Sequence, residues 1–240
     1  MILLRSLLYF AAMLLSVVVF GLLIALLGAF LPGRFSDVMA TRWGQANLWL
    51  QRVICGLNYQ VEGKEHLPQG PCIIMSKHQS TWETMGLRGI FKPEQSWVLK
   101  RELMLLPVFG WGLRFAKSIP IDRSAGRSAV RKVIDDGMAR LAEGRYVIIF
   151  PEGTRTSPGE RRKYGIGGGM LAERSGAPVI PVAHNAGVYW RRRGVKKFPG
   201  TIRVVIGPAM DSRGKRATEI MREVEDWIES RQEELPSRPL

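Results

Sequence analysis

Cysteine and histidine are the scarcest reactive side chains in this chain of 240 residues, with two and three copies respectively. The cysteines, Cys55 and Cys72, lie in the apolar stretches VICGL and PCIIM and belong to no CxxC pair. This excludes a disulfide framework and a cysteine-based metal signature. We therefore expect both thiols to pack as small hydrophobic groups, and we expect no metal site.

Acidic residues are outnumbered, because Lys and Arg total 35 against 21 Asp and Glu, which gives a formal net charge of +14. Such an excess attracts polyanions, namely nucleic acid, anionic lipid surfaces or phosphorylated substrates. A basic protein that is merely soluble is the alternative.

Charge is absent altogether from the 26 residues between Ser6 and Leu31, which Arg5 and Arg34 bracket. About 20 apolar residues are enough to cross a bilayer as a helix. The stretch is longer than the core of a signal peptide and lacks an A-x-A-like cleavage site, so we predict a membrane anchor. The residues after it are rich in Lys and Arg, which favours a domain at the cytoplasmic face of the membrane.

A second helix is predicted after the anchor, with Ser36 or Asp37 as its N-cap and Gly56 at its end. Its apolar side chains recur every three or four residues and form one stripe, which either packs on the core or lies along the membrane surface. We assign residues 1–57 to the anchor and this amphipathic helix, residues 58–233 to a folded domain, and residues 234–240 to a frayed tail.

In the folded domain, short apolar runs alternate with helical patterns. The predicted strands are Tyr59–Glu62, Cys72–Ser76, Trp97–Lys100, Ser118–Ile121, Tyr146–Phe150, Val179–Ala183 and Ile202–Ile206. The predicted helices are Trp82–Gly89, Glu102–Phe115, Arg127–Glu143, Gly169–Ser175 and Thr218–Glu233. This alternation indicates an α/β domain with a largely parallel sheet flanked by helices. Sheets of this kind bind ligands beyond the carboxyl ends of their strands.

The stretch SKHQSTWET places His78 five residues before Glu83. On one continuous helix their side chains would point about 140° apart and would not meet. They can meet if His78 lies in the loop after strand Cys72–Ser76 and Glu83 lies in the first turn of the next helix, which Ser80 or Thr81 can cap. A carboxylate on one imidazole nitrogen fixes the tautomer and makes the other nitrogen a general base for an alcohol. A histidine that lies near a glutamate by chance is the alternative.

Basic side chains stand where three predicted strands end. Arg155 follows the strand YVIIF in the stretch FPEGTRT, Lys100 and Arg101 end the strand SWVLK, and Arg123 follows KSIPID. An Arg side chain together with the backbone N–H groups of a Pro- and Gly-containing turn suits a phosphate group. Ordinary strand exits with surface cations are the alternative.

Several other basic or histidine-containing stretches are less specific. We predict a basic loop over Thr154–Gly169, a solvated His66, and a structural role for His184 in preference to a substrate contact. The cluster Arg191–Arg193 with Lys196 and Lys197 is predicted to bind lipid headgroups, with a solvated loop as the alternative.

Four stretches, in order, resemble the glycerolipid acyltransferase family. They are KHQSTWE, KRELMLLPVFGWGLRFAKSIPIDR, FPEGTRT and APVIPVA, within roughly Val61–Gly207. The resemblance implies that a fatty acyl chain moves from a thioester, on coenzyme A or acyl carrier protein, to a glycerolipid hydroxyl. The expected product is phosphatidate, made on the sn-2 hydroxyl of 1-acylglycerol 3-phosphate.

The resemblance also implies roles for individual residues. His78 corresponds to the general base, and Glu83 stands where the family usually has Asp. The implied acceptor-phosphate site comprises Lys100, Arg123, Glu152, Gly153 and Arg155, and the implied contacts with the acyl chain or donor are Ile180, Pro181 and Val182. Family members often carry a Lys in the stretch that reads Tyr164-Gly165-Ile166-Gly167 here, and whether Lys163 or Arg162 replaces it is left open.

Direct attack by the acceptor hydroxyl is expected, because alcoholysis of a thioester is downhill and no nucleophile in the chain is activated for an acyl-enzyme. Cys72 is predicted inside a strand and Ser80 as a cap. We expect no metal or ATP requirement, and we expect membrane lipids and the acyl donor as partners and no nucleic acid. The alternatives are another acceptor, such as a lyso-aminolipid, and a membrane-anchored nucleic-acid-binding protein, for which no recognition motif is present.

Overall fold

The computed structural model describes residues 1–28 and 30–237. Its sheet consists of β1 (Leu57–Glu62), β2 (Cys72–Ser76), β3 (Gln95–Lys100), β4 (Ile119–Ile121), β5 (Tyr146–Ile149), β6 (Val179–His184) and β7 (Gly200–Ile206). The spatial order is β1-β7-β6-β2-β5-β3-β4, and within the described chain all neighbours are parallel except β6 and β7. The prediction of a largely parallel α/β sheet is therefore confirmed.

Helices cover both faces of the sheet. They are α1 (Ile2–Leu27), α2 (Arg34–Leu50), α3 (Trp82–Ile90), α4 (Phe109–Phe115), α5 (Arg127–Ala142), α6 (Gly167–Ser175), α7 (Ala186–Tyr189) and α8 (Ala217–Glu234). A π-helical turn, Gln51–Cys55, continues α2, and short 3-10 turns cover Lys64–His66, Arg101–Leu105 and Arg123–Ala125.

The central strand β2 is buried on both faces, as its continuous apolar sequence requires. Because side chains alternate along a strand, Ile74 packs in one core with Trp82, and Ile73 packs in the other with Leu171 and Val224. The carboxyl end of β2, where His78 follows, therefore lies at the middle of the sheet edge.

Among the described residues, only α1 is long and apolar enough to cross a membrane. Most of its side chains are exposed, but Tyr9 is buried against the body. The Tyr9 hydroxyl donates to Asn47 Oδ1 at 3.2 Å and accepts from Gln51 Nε2 at 2.9 Å. Polar contacts from one side of the apolar helix thus join it to α2 and the following π-helical turn.

The predicted start of α2 is wrong. Its N-cap is Gly33, and Ser36 and Asp37 lie inside the helix, both buried. Asp37 accepts two hydrogen bonds from the buried Arg145, at 2.7 and 2.5 Å. The carboxylate is therefore part of an ion pair between α2 and the start of β5, which an N-cap rule applied to the local sequence does not detect.

The buried face of α2 also differs from the predicted apolar stripe. The most buried positions include Thr41, Gly44 and Asn47, whereas the apolar side chain of Val53, which fits the predicted three- and four-residue spacing, is exposed. Helices α2 and α3 approach so closely that a Cβ atom on Gly44 would lie 2.6 Å from the backbone nitrogen of Gly89. Small and polar residues form this contact, so a search for apolar periodicity misses it.

Other differences concern where helices begin, end or break. The predicted helix Glu102–Phe115 is broken into a 3-10 turn and α4, because Pro107 lacks a backbone N–H and Val108 has a φ of 63°. Helix α6 begins at Gly167, inside the segment predicted to be a loop. Helix α8 includes Glu234, and Leu235 is buried, whereas residues 238–240 of the predicted tail lie outside the described residues.

Candidate active site

His78 lies in the short loop between β2 and α3, and its ring contacts the side chain of Glu83 in the first turn of α3. The distance from His78 Nδ1 to Glu83 Oε1 is 2.7 Å. Because a carboxylate only accepts, Nδ1 carries the proton in this hydrogen bond, and Nε2 is left as the basic nitrogen. The ring of Phe150 stacks on the imidazole at 4.1 Å between centroids and fixes its plane.

The extra methylene of Glu83, compared with Asp, lets its carboxylate turn back over the start of α3. Besides His78, Glu83 Oε1 accepts the backbone N–H groups of Gln79 at 2.8 Å and Ser80 at 2.7 Å. Burial raises the pKa of Glu83, but the hydrogen bond from His78, the neighbouring imidazole of His184 and the Ser80 N–H together outweigh burial and hold the pKa below its usual value. Glu83 is therefore ionised and can stabilise a protonated His78.

The backbone of His78 is held by the loop that follows β5. Glu152 Oε2 accepts the His78 N–H at 3.0 Å, and the Thr156 N–H donates to the His78 carbonyl at 2.7 Å. Gly153 makes the turn between them, with a φ of 66° that suits glycine. The buried carboxylate of Glu152 therefore holds the histidine loop, and its implied contact with the acceptor phosphate stays a prediction.

Glu152 belongs to a buried ionic cluster that the sequence analysis missed. Lys77, which is 1% exposed, places its Nζ 3.1 Å from Glu152 Oε1 and 2.7 Å from Glu229 Oε1 in α8. The hydroxyl of Tyr164 donates to the same oxygen of Glu229 at 2.8 Å. The residue before His78 is therefore connected to α8 and to the loop after β5, and the cluster sets the position of the histidine loop.

Two carboxylates share one lysine in this cluster. Burial raises the pKa of Glu152 to about 7, the Lys77 charge opposes this rise, and the Glu229 charge adds to it. A carboxyl group whose pKa is raised on folding contributes stability below its unfolded pKa and loses that contribution as the pH rises through its folded pKa. The relevant pH range runs from about 4.5 to about 7.

Replacing Glu152 with Gln removes this titration and should make the variant gain stability relative to the wild type as the pH rises. We expect the difference in unfolding free energy to change by about 2 kcal/mol between about pH 5 and pH 8. Chemical denaturation in detergent micelles at several pH values measures it. Glu143→Gln is the control, because the pKa of Glu143 lies below its usual value and its charge is constant over that range. A constant difference for Glu152→Gln would contradict the raised pKa.

His78 opens onto a cavity of about 510 Å³ at the carboxyl ends of β2, β3 and β5. Three of the predicted cationic residues, Lys100, Arg123 and Arg155, also line it. Lys100 pairs with Glu102 at 3.0 Å, whereas Arg123 and Arg155 have no ion-pair partner among the described residues. Burial lowers the pKa of Arg123; the charge of Glu102 opposes this shift, and the neighbouring charge of Arg155 adds to it. An anion between the two guanidinium groups would relieve this repulsion.

The predicted contacts of Ile180, Pro181 and Val182 with substrate need correction. All three are buried in β6, between β2 and β7, and none is among the described residues that line the His78 cavity. Their apolar side chains belong in the interior of a central strand. They support the sheet edge from which His78 projects.

A family model described as "Acyltransferase" matches residues 58–185. The chain is 43% identical to a 1-acyl-sn-glycerol-3-phosphate acyltransferase of Pseudomonas aeruginosa over 96% of this chain and 91% of that protein. This chain belongs to the Acyltransferase family. It is also 32% identical to a lyso-ornithine lipid O-acyltransferase of the same organism, over 69% of this chain and 60% of that protein.

The fold of this acyltransferase matches a solved structure. The 1-acyl-sn-glycerophosphate acyltransferase of Thermotoga maritima superimposes with a TM-score of 0.83, covering 99% of this chain and 97% of that one at 23% identity. The shared fold includes the apolar N-terminal helix, which fits association with a membrane. Family membership favours the enzyme hypothesis over the nucleic-acid-binding alternative.

The other two histidines of this acyltransferase make structural contacts. His184 is fully buried, and its Nε2–H donates to the Lys77 carbonyl at 2.8 Å, which agrees with the predicted structural role. His66 is not simply solvated, because its Nδ1 lies 2.8 Å from the Ile206 carbonyl oxygen. His184 therefore holds the backbone next to His78.

The predicted headgroup cluster divides in the structure. Lys197 is buried, with its Nζ 4.6 Å from the centre of the Trp190 ring, and cannot face a membrane surface. Arg192 and Arg193 line the His78 cavity, and Arg88 lines it from α3. The sequence analysis did not assign these three arginines to the cavity, because only the tertiary fold brings α3 and the turn after α7 next to His78.

Proposed function

We propose that this acyltransferase moves a fatty acyl chain from a thioester, on coenzyme A or acyl carrier protein, to the sn-2 hydroxyl of 1-acyl-sn-glycerol 3-phosphate. The product is phosphatidate. The observation that carries the proposal is that His78, whose Nδ1 lies 2.7 Å from Glu83, lines the same cavity as Arg123 and Arg155. The 43% identity to a 1-acyl-sn-glycerol-3-phosphate acyltransferase supports the same acceptor.

The chemical step begins with a proton transfer from the sn-2 hydroxyl to His78 Nε2. The oxygen attacks the thioester carbon and forms a tetrahedral intermediate. Collapse breaks the carbon–sulfur bond, and the thiolate leaves with the proton that His78 returns. Glu83 stabilises the positively charged imidazole throughout, and no covalent acyl-enzyme forms, since the acceptor oxygen is the nucleophile.

The phosphate of the acceptor fits between Arg123 and Arg155, with Lys100 nearby. Two guanidinium groups from different strand ends give a dianionic phosphate charge-assisted hydrogen bonds and fix the direction of the glycerol. With the phosphate held there, the glycerol backbone extends toward His78. This arrangement assigns the two arginines to acceptor binding rather than to proton transfer.

The acyl chains fit the apolar wall of the same cavity, which β3, α4 and Trp43 of α2 supply. It continues toward a smaller cavity between α1, α2 and α4. Phe109 and Leu113 of α4 line both cavities, and Val17 and Phe20 of α1 line the smaller one. A lipid can thus enter from the membrane in which α1 is embedded, with the catalytic domain at its cytoplasmic face.

Replacing Arg155 with Gln should raise the KM for lysophosphatidate by about 10- to 100-fold, because charge-assisted hydrogen bonds to the phosphate are lost. The kcat should change much less, since the proton transfer is intact. Initial rates with labelled acyl-coenzyme A and varied acceptor measure both constants. Arg161→Gln is the control, because Arg161 pairs with Glu225 and does not line the cavity.

The second candidate is transfer to another lyso-lipid, which the 32% identity to a lyso-ornithine lipid O-acyltransferase favours. An anionic group other than phosphate can also bind two arginines. Assays with a panel of lyso-lipids separate the two candidates. Preference for an acceptor without a phosphate monoester would contradict the proposed product, and an unchanged KM in Arg155→Gln would contradict the proposed phosphate site.

A further inference from the structure

The His78 cavity holds more unpaired positive charge than one phosphate needs. Besides Arg123 and Arg155, it is lined by Arg192 and Arg193, and none of these four, nor the buried Arg88 of α3, has an ion-pair partner among the described residues. Some basic side chains of the same region are paired, as Arg101 is with Asp122 and Arg162 with Glu160. An anion-rich ligand is the expected partner of four unpaired guanidinium groups in one cavity.

The four arginines form two groups by the strands that they follow. In the sheet order β6-β2-β5-β3-β4, His78 follows the central β2. Arg155 and Arg123 follow β5 and β4, on one side, whereas Arg192 and Arg193 follow β6 and α7, on the other. Because these strands are parallel, all four residues lie at the same edge of the sheet, with the general base between the groups.

The turn that carries Arg192 and Arg193 is anchored at its base. The Phe198 N–H donates to the Tyr189 carbonyl at 2.9 Å, and the Lys197 N–H donates to Ser6 Oγ in α1, also at 2.9 Å. Arg193 has a φ of 59°, which is unusual for a residue other than glycine. A backbone of this kind fixes where the two arginine side chains leave the turn.

A two-substrate reaction at His78 accounts for two separate cationic groups. The acceptor oxygen and the thioester carbon must meet at Nε2, so the rest of each substrate extends away from that point. Two phosphates cannot share one site without strong repulsion. With the acceptor phosphate at Arg123 and Arg155, a phosphate of the donor needs its own cations on the other side.

We propose that Arg192 and Arg193 bind the phosphate at the end of the pantetheine arm of the acyl donor. Acyl-coenzyme A and acyl carrier protein both have this phosphate, so the site fits the chemistry that the two donors share. The inference rests on the proposed function in that it assumes a thioester donor. Binding of the arm requires neither turnover nor a particular acceptor lipid.

Equilibrium binding of 4′-phosphopantetheine and of pantetheine to the full-length protein in detergent micelles tests the site. The wild type should bind the phosphorylated arm about 10- to 100-fold more tightly. In Arg192→Gln/Arg193→Gln this ratio should fall to about one. The control is Arg191→Gln/Lys196→Gln, which removes the same charge from exposed positions of the same turn and should keep the wild-type ratio.

Initial rates then show whether the two arginines act on both acyl donors, on the acceptor, or on membrane binding. Arg192→Gln/Arg193→Gln should raise the KM for acyl-coenzyme A and the KM for acylated carrier protein by a similar factor, about tenfold or more. The KM for lysophosphatidate should stay within about twofold of the wild-type value. An effect on one donor alone, an equal rise in the acceptor KM, or an unchanged phosphopantetheine ratio would overturn the inference. So would a loss of binding to phosphatidylglycerol vesicles with unchanged donor constants, because the arginines would then contact the membrane.

If the wild type binds phosphopantetheine through these arginines but transfers no acyl chain to lysophosphatidate, the donor site stands and the proposed acceptor fails. If transfer to lysophosphatidate is normal and the binding ratio is about one in the wild type, the donor site fails alone. The two proposals are therefore decided separately.

Discussion

Replacing His78 with Ala is expected to lower kcat for acyl transfer by about 10²- to 10⁴-fold, the range of a general base. The reason is that Nε2 is the basic ring nitrogen, since Nδ1 donates to Glu83 at 2.7 Å. Radiolabelled acyl-coenzyme A and lysophosphatidate, supplied to membranes that carry each protein, measure the rate. The KM for the acceptor should change little, because the phosphate is bound elsewhere in the cavity.

Two further variants make this prediction specific. His66→Ala removes a histidine outside the cavity and should keep wild-type kcat. Glu83→Gln keeps a hydrogen-bond acceptor but loses the negative charge that stabilises protonated His78, so its kcat should lie between those of the wild type and His78→Ala. Full activity of folded His78→Ala would show that another group removes the proton.

Replacing Lys77 with Met is expected to lower the free energy of unfolding by about 3 to 5 kcal/mol, because it leaves buried carboxylates without their cation. Glu229 Oε1 lies 2.7 Å from Lys77 Nζ, and the lysine side chain is 2% exposed. For a chain of this length the midpoint of thermal unfolding should fall by roughly 6 to 20 °C. Thermal unfolding in detergent micelles, followed by circular dichroism, measures the shift.

The matched control is Lys132→Met, which removes an exposed lysine that lies 2.7 Å from Asp136. This surface pair should contribute less than about 1 kcal/mol. Combining Lys77→Met with Glu152→Gln and Glu229→Gln should restore most of the lost stability, because no buried charge is then unpaired. Equal effects of Lys77→Met and Lys132→Met would contradict the importance of the buried cluster.

Features that depend on neighbouring residues in sequence were predictable. The apolar run of β2 predicts a strand with the observed bounds, and the spacing of His78 and Glu83 predicts a loop-to-helix contact rather than two residues on one helix. Both inferences use local geometry, namely the alternation of strand side chains and the rotation per residue of a helix. The edge of the sheet that carries the site follows from the parallel arrangement.

Contacts between distant parts of the chain were not predictable in the same way. Lys77 and Glu229 are 152 residues apart, and Arg145 and Asp37 are 108 apart. A charged residue in a basic sequence looks like a solvated one until its partner is known, so the buried cluster and the buried pair carry no local signal. The same reasoning applies to Glu152, because its motif does not reveal the ion pair that it forms with Lys77 at 3.1 Å.

For the arginines after α7, the local sequence was likewise not enough to predict the ligand. Their sequence predicts a surface patch for lipid headgroups, but β6 and α7 bring Arg192 and Arg193 to the cavity and bury Lys197 against Trp190. The composition of the turn is informative about charge, and the topology of the sheet determines which ligand that charge can reach.

The most direct test of the account is an analysis of reaction products. Membranes carrying this protein receive lysophosphatidate together with a donor whose acyl chain is labelled, either acyl-coenzyme A or acylated carrier protein. We predict labelled phosphatidate from the wild type, with no acyl-protein formed when the acceptor is omitted. Labelled product only from other lyso-lipids, or a hydroxylamine-sensitive acyl-protein that forms and is consumed at the rate of turnover, would contradict it.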